Sequence, residues 1–333
     1  MAAVKQADLV LSGGGVKGIA LAGAVAALVE ADYTPQRVSG TSAGALVGSL
    51  VAAAAQRGDL SSALLADLAV SIDYRRFLDP GPIERIPVLG PVAGVLSGDG
   101  IYRGDALHRW IGEQLARYGV ETFADLAIDD PELPPERRYR LVVTVADVTR
   151  GLLVRLPWDY RRVYGLDPDR QSVADAVRAS TAIPFFFRPA TVTAADGRES
   201  TLVDGGLLSN FPIDSLDRTD GAPPRWPTFG VTLLPTLPAD NEQVIPALRP
   251  VHLFGGPTLL EQVITTTLVG RDQAYLDQPW VSARTIRIDT ADIGVLDFGL
   301  STQQKSALYD DGARAGRAFL TTWNWSEYLA RFR

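Results

Sequence analysis

The chain has 333 residues with a formal net charge of -7, and 46% of the residues are hydrophobic. This size and composition predict a globular α/β protein with a sizeable core, and the acidic balance argues against a nucleic-acid partner. The absence of cysteine and the presence of only two histidines exclude disulfides, thiolate chemistry and a histidine-rich metal cluster.

The first stretch that could form a binding or catalytic site is a glycine loop. Residues 7–11 predict a short buried strand, residues 19–31 have helix composition, and between them residues 13–18 read Gly-Gly-Gly-Val-Lys-Gly. Such a loop directs several backbone N–H groups into one concavity, which suits an anion. The spacing also matches a dinucleotide-binding fingerprint, but the second strand does not end in the acidic residue that holds the ribose, and a P-loop would need Lys-Ser/Thr. An oxyanion site is the remaining interpretation.

The next stretch is a candidate nucleophile elbow. Residues 35–39 are β-prone, residues 45–55 are apolar, and Gly-Thr-Ser-Ala-Gly at 40–44 connects them. In a strand, turn and helix context this motif indicates a serine nucleophile, Ser42, at a helix N-terminus that favours negative charge. The same letters also occur in ordinary Gly/Ala/Ser-rich turns. Because the two strand-loop-helix units predict parallel neighbours, we expect both loops at the carboxyl edge of one sheet.

The rest of the chain alternates helices and strands. Further helices are predicted at residues 58–68, 103–118, 172–182, 259–276 and 303–320, and further strands at 140–146, 201–203, 226–234 and 285–288. Residues 77–101 are rich in Pro, Gly and apolar side chains, which indicates either a long packed loop or an apolar lid that contacts lipid. Three adjacent phenylalanines at 185–187 are interpreted as core, with the wall of an acyl-chain pocket as the alternative.

Two carboxylates follow predicted strands and compete as the base for Ser42. A serine hydroxyl is a poor nucleophile unless a neighbour takes its proton. Asp204 opens an Asp-Gly-Gly turn, and with His252 it would match the chain order of an α/β-hydrolase triad, although no predicted strand ends at that histidine. A dyad of Ser42 and Asp204 needs no histidine, but burial must raise the aspartate pKa above about 3.9. Asp147 is the rival, and either aspartate could be a turn residue.

Three glycine blocks, in this order and context, resemble the signature blocks of the patatin-like phospholipase family. They are residues 13–18, 40–44 and 204–206. Further similar segments are residues 100–104, the Ala-Ser-Thr-Ala-Ile-Pro run at 179–184, residues 207–212 with Asn210, and more weakly residues 297–301. The third block reads Asp-Gly-Gly where many members have Asp-Gly-Ala, and both forms occur in the family.

The resemblance implies a three-layer α/β/α fold with a mainly parallel central sheet. The catalytic core would span residues 7–213, with residues 214–333 as a C-terminal extension packed on the same domain. It implies a Ser42–Asp204 dyad and an oxyanion hole from Gly13, Gly14 and Gly15. The residues that would support the motifs are Lys17, Gly18, Gly40, Gly44, Gly205 and Gly206.

The implied activity is hydrolysis of acyl esters in lipids, with no cofactor or metal and with an acyl lipid as substrate. The apolar run at residues 77–101 adds the hypothesis of peripheral membrane contact. No secretion signal is apparent and the apolar stretches are shorter than the roughly 20 residues that a bilayer requires, so we expect a cytoplasmic location. The alternatives are an esterase with the Ser42/Asp204/His252 triad, a non-catalytic lipid-binding protein, and an NAD(P)-binding oxidoreductase. The oligomeric state leaves no readable trace in the sequence.

Overall fold

The computed structural model describes residues 5–80, 100–233, 273–290 and 293–333. The strands are β1 (Lys5–Leu11), β2 (Tyr33–Thr41), β3 (Leu141–Asp147), β4 (Leu152–Leu156), β5 (Ala190–Thr193), β6 (Glu199–Asp204), β7 (Thr228–Leu233) and β8 (Thr285–Ile288). The helices are α1 (Gly18–Glu30), α2 (Ala43–Arg57), α3 (Ser62–Ser71), α4 (Asp105–Ala116), α5 (Val173–Ser180), α6 (Gln273–Leu276), α7 (Pro279–Ser282), α8 (Thr302–Thr322) and α9 (Trp325–Phe332).

The described strands form one sheet in the order β5-β6-β3-β2-β1-β7-β8, with β4 also paired to β3. Five neighbouring strands are parallel to one another, namely β3, β2, β1, β7 and β8. β4 and β6 run antiparallel to β3, and β5 runs antiparallel to β6. All seven residues of β3 are buried, so both faces of the sheet are covered there. The predicted fold class, an α/β protein with a mainly parallel central sheet, is confirmed.

The two helices that follow the glycine-rich motifs, α1 and α2, contact each other. α1 also contacts α3 and α8, and α2 also contacts α4 and α5. Glycines allow the closest approaches: a Cβ on Gly44 in α2 would overlap the carbonyl of Leu11 at the end of β1, and one on Gly312 in α8 would overlap the carbonyl of Ala20 in α1. These contacts bring the ends of β1 and β2 and the starts of α1 and α2 together.

The C-terminal residues take part in the same sheet. β7 lies between β1 and β8, and α8 packs along α1. α8 begins with a capping box, in which Ser301 and Gln304 satisfy each other's backbone N–H groups. The boundary at residue 213 stays a prediction, because the packing of the C-terminal part does not define where the catalytic core ends.

Several sequence predictions fall outside the described residues. They are most of the segment 77–101, His252, and all but the last turn of the helix predicted at 259–276. In the parts of the chain that are described, no helix is both long and apolar enough to cross a membrane.

Candidate active site

Ser42 occupies a sharp turn between β2 and α2. Its φ of 52° and ψ of -120° lie in a region that non-glycine residues rarely adopt, so the backbone is strained at this serine. A Cβ on Gly40 would overlap the carbonyl of Gly44, so the turn is too tight for side chains at its flanks. The predicted strand, tight turn and helix around Ser42 are therefore present, with the strained backbone typical of a nucleophile elbow.

A second serine holds the backbone of the elbow. The N–H of Ser42 donates to Oγ of Ser180 at 2.8 Å, and the Ser180 hydroxyl donates to the carbonyl of Thr144 in β3 at 2.7 Å. Ser180 is fully buried at the last position of α5. Ser180 belongs to the Ala-Ser-Thr-Ala-Ile-Pro run, which the sequence marks only as a motif of the family it resembles. The sequence alone assigns no role to this serine.

Ser42 and Asp204 are brought into direct contact. Oγ of Ser42 donates to Oδ2 of Asp204 at 2.6 Å, and the other carboxylate oxygen accepts from the N–H of Gly206 at 2.8 Å. Asp204 is the last residue of β6, and the following Gly205 is required because a Cβ there would overlap the carbonyl of Thr144. Ser42 is 5% exposed and Asp204 1% exposed, so the hydrogen bond is shielded from water.

The environment of Asp204 favours its neutral form. Burial raises its pKa to about 7, although the hydrogen bonds from Ser42 and from the backbone of Gly206 act in the opposite direction. A carboxylate with this pKa is a much stronger base than an exposed aspartate and is still partly ionised at neutral pH. A Ser-Asp dyad requires a buried aspartate, and Asp204 is buried.

The glycine loop lies beside the serine. The position that a Cβ on Gly13 would take is 3.2 Å from Cβ of Ser42, and the corresponding position at Gly18 is 2.8 Å from Cβ of Ala43. The N–H of Gly13 donates to the carbonyl of Asn210 at 3.2 Å. Within the described residues, the N–H groups of Gly14 and Gly15 have no acceptor, so they are available to a ligand.

The chain matches the family model for patatin-like phospholipase over residues 9–217. The chain belongs to the patatin-like phospholipase family. The matched segment contains all three glycine blocks, from the loop after β1 to the Asp204 turn, so this patatin-like chain carries the motifs of its family in the arrangement just described.

Relatives of this patatin-like chain include uncharacterized proteins. The protein YqhO of Bacillus subtilis (strain 168) is 33% identical over 323 residues, which cover 96% of this chain and 99% of that protein. An NTE family protein of Mycobacterium tuberculosis (strain CDC 1551 / Oshkosh) is 27% identical over 329 residues, which cover 95% of this chain and 46% of that protein. The chain thus spans about half the length of the mycobacterial relatives it matches.

Solved structures also match. VipD from Legionella pneumophila has a TM-score of 0.42 and 19% identity, with 96% of this chain and 67% of that chain covered. ExoU in the heterodimeric ExoU–SpcU complex from Pseudomonas aeruginosa has a TM-score of 0.41 and 19% identity, with 98% and 52% covered.

Asp147 does not contact the serine of this patatin-like site. Its carboxylate accepts from the N–H of Arg150 and from the hydroxyl of Tyr164, both at 2.9 Å. It therefore closes the turn between β3 and β4, which is the structural alternative that the sequence left open. The hydrogen bond to Ser42 separates the two candidate bases, since Asp204 has it and Asp147 does not.

Lys17 of the glycine loop is a buried cation, 3% exposed. Burial lowers the pKa of its ammonium group, and the negative charge of Asp289 counteracts this shift. Among the two histidines, His108 lies on the surface and contacts Asp175 at 2.7 Å, away from the dyad. His252 is outside the described residues, so the triad alternative is decided only by experiment.

Proposed function

We propose that the chain is a serine lipid acyl hydrolase that cleaves acyl ester bonds of phospholipids or other acyl lipids. The observation that carries the proposal is the buried 2.6 Å hydrogen bond from the Ser42 hydroxyl to Asp204. A serine on a strained elbow, paired with a base of near-neutral pKa, has the groups that acyl transfer requires. Membership of the patatin-like phospholipase family supports a lipid ester as the substrate.

The proposed reaction has two steps. Oγ of Ser42 attacks the ester carbonyl carbon while Asp204 accepts the hydroxyl proton, which then passes to the departing alcohol as the C–O bond breaks. Water next attacks the acyl-enzyme, gives its proton to Asp204, and releases the fatty acid as the ester bond to Ser42 breaks. Asp204 thus acts as base and then as acid in each half of the reaction, which suits a carboxyl group with a pKa of about 7.

The negative charge on the carbonyl oxygen needs donors placed in advance. The N–H groups of Gly14 and Gly15, which no described residue accepts, are the proposed oxyanion donors, since the N–H of Gly13 already donates to the carbonyl of Asn210. The N-terminal end of α2, which begins directly after Ser42, adds a favourable dipole. No step of this reaction requires a metal, so activity is expected to persist in a chelator.

Ester hydrolysis by point variants tests the proposal. Rates with p-nitrophenyl esters of increasing chain length and with phospholipid vesicles would be compared for wild type, Ser42→Ala and Asp204→Asn. Both variants should lose activity by at least about 10³-fold, because each removes one of the two groups of the proposed dyad. Ser49→Ala is the matched control, since Ser49 is a buried serine of α2 whose hydroxyl bonds only to the Leu46 carbonyl.

The other readings have distinct outcomes in the same experiment. A folded His252→Ala variant without activity would favour the triad esterase over the dyad. Labelling of wild type by a fluorophosphonate probe, lost in Ser42→Ala, would oppose the non-catalytic lipid-binding alternative. A wild-type protein that neither hydrolyses esters nor reacts with the probe would contradict the proposed function. Peripheral membrane contact and a cytoplasmic location stay predictions.

A further inference from the structure

The side chain of Asn210 lies next to both the glycine loop and the nucleophile. A Cβ on Gly13 would overlap Oδ1 of Asn210, and the same position is 3.2 Å from Cβ of Ser42. The amide and the serine thus border one small volume above the Gly13 Cα. The backbone fixes this relation, because the carbonyl of Asn210 accepts the N–H of Gly13 at 3.2 Å.

The Asn210 amide has hydrogen-bonding capacity that the described part of the chain does not use. The residue is half-buried, and no described residue forms a hydrogen bond with its side chain. A primary amide offers two donors and an acceptor, so this half-buried group can form hydrogen bonds with a ligand in place of water. An unused amide beside a nucleophile is therefore suited to a ligand oxygen.

The charge around the site determines which ligand atom this is. Asp204 and the Ser42 hydroxyl already form a donor and acceptor pair, whereas the carbonyl oxygen of a bound ester would become negative as Ser42 attacks. The N–H of Gly13 donates to Asn210, whereas those of Gly14 and Gly15 have no acceptor among the residues that the structure describes. The Asn210 atom at this position is Oδ1, and rotation of the amide by 180° about its Cβ–Cγ bond, which no hydrogen bond to a described residue opposes, places the Nδ2 donor there. The neutral amide then adds a donor without introducing a carboxylate that would repel the oxyanion.

We propose that Asn210 is a catalytic residue whose side-chain N–H donates to the developing oxyanion, together with the backbone of Gly14 and Gly15. This inference rests on the proposed acyl hydrolase function and adds a side chain to an oxyanion hole otherwise made of backbone. It also gives a reason for glycine at position 13, because any Cβ there would displace the amide and press against Ser42.

The test uses the purified full chain and a short p-nitrophenyl ester, with kcat and KM measured separately. Asn210→Asp keeps the shape but replaces the amide donor with a carboxylate, and Asn210→Ala removes the group. Both should lower kcat by about 10²- to 10³-fold with KM changed less than about threefold. Asn210→Ser, which retains a shorter donor, should recover part of the loss relative to Asn210→Ala. Ser209→Ala is the neighbouring control and should keep wild-type activity.

Two further readouts separate catalysis from a structural role. The rate of fluorophosphonate labelling of Ser42 should fall in both Asn210 variants, since phosphonylation also places negative charge on the oxygen. The new carboxylate of Asn210→Asp should move the pH profile of kcat/KM to higher pH, because it disfavours ionised Asp204. Neither effect is expected from a mere loss of packing.

The outcomes distinguish this inference from the proposed function. Asn210→Ala and Asn210→Asp with wild-type kcat, while Ser42→Ala is inactive, would overturn the role of Asn210 and leave the hydrolase intact. A rise in KM at constant kcat would also overturn it, because the amide would then bind the ground state equally well. A wild-type protein that is inert to ester and probe would overturn both proposals.

Discussion

At the residue scale, the proposed role of Asp204 as the base predicts how activity depends on pH. The base must be ionised to accept the Ser42 proton, and its pKa is about 7 in the fold. We expect kcat/KM to rise about tenfold per pH unit below this value and to level off above it. Steady-state rates with an uncharged ester between pH 5 and 9 would measure this, and a flat profile over that range would contradict Asp204 as the base.

The same burial makes Asp204 a cost to stability at neutral and alkaline pH. Its pKa is about 3.9 in an unfolded chain and about 7 in the fold, so the folded state binds more protons between these values. The contribution of protonated Asp204 to stability is therefore fully present below about pH 4 and is lost as the pH rises through 7. Asp204→Asn should be more stable than wild type by about 1–3 kcal/mol at pH 8, with the gain fading towards pH 4.

Thermal unfolding at pH 8 and at the lowest pH that wild type tolerates measures this difference. Asp67→Asn is the control, because it makes the same substitution at an exposed position of α3. An Asp204→Asn variant that is less stable than wild type at pH 8 would show that the carboxylate form is not disfavoured by burial.

Ser180 holds the backbone of Ser42, the proposed nucleophile, through a hydrogen bond to its N–H. Replacing it by Ala leaves the buried N–H of Ser42 and carbonyl of Thr144 without their shared partner, which costs about 1–3 kcal/mol and frees the elbow. We expect Ser180→Ala to lower kcat/KM and the fluorophosphonate labelling rate by about tenfold. Ser49→Ala should lose some stability without this loss of activity. Equal labelling rates in both variants would assign Ser180 to stability alone.

At the scale of elements, the site depends on how closely α2 approaches the end of β1. A Cβ on Gly44 would overlap the carbonyl of Leu11, so Gly44→Ala must push the helix and its serine outward. We expect this variant to lose more than about 10²-fold in activity and several degrees in Tm. Gly112→Ala in α4 is the control: nothing lies within 4 Å of its new Cβ, and it should stabilise by about 0.5–1 kcal/mol. Opposite signs of the two Tm shifts are required.

The elements that the sequence predicts best are those with strong local patterns. β3 is a continuous apolar run and is buried throughout, and β2 and α2 flank a turn with a distinctive motif. β4 and β5 are not predicted, because they are short and partly exposed, which leaves little hydrophobic contrast. An Asp-Gly pair at 196–197 in the turn between β5 and β6 is a hairpin signal that could have identified β5.

The residues of the candidate site also differ in how well the sequence predicts them. Ser42, Asp204 and the glycine loop belong to compact motifs whose chemistry is local, so the sequence identifies them as candidates. The hydrogen bond from Ser42 to Ser180 spans 138 residues of chain, and the occupation of the Gly13 N–H by Asn210 also depends on tertiary packing. No period or spacing encodes such contacts. The sequence therefore places Ser180 and Asn210 within motifs but does not indicate which residues they contact.

At the scale of the whole molecule, the C-terminal part packs against the elements on both sides of the glycine loop. β7 pairs with β1, whose end leads into the glycine loop, and a Cβ on Gly14 would overlap the side chain of Leu233. α8 packs along α1, which begins at the other end of that loop. Both flanks of the loop thus rest on residues beyond 213, which favours one cooperative unit over a separable extension.

Widening the contact between α1 and α8 tests this view. A Cβ on Gly312 would overlap the carbonyl of Ala20, so Gly312→Val cannot be accommodated without moving the helices apart. We expect the Tm to fall by more than about 5 °C while unfolding remains a single transition, and we expect ester hydrolysis to weaken because α1 carries the glycine loop. Ala318→Val, at an exposed position of the same helix, should change both quantities little.

Calorimetry and a probe of the active site give the decisive comparison. If the chain is one unit, the heat capacity peak and the loss of fluorophosphonate labelling should shift together in Gly312→Val. If residues beyond 213 unfold first in a separate transition and labelling survives it, the extension is an independent domain and the catalytic core is stable without it. The coincidence of the two transitions therefore decides whether the oxyanion loop owes its position to the C-terminal strands and helix.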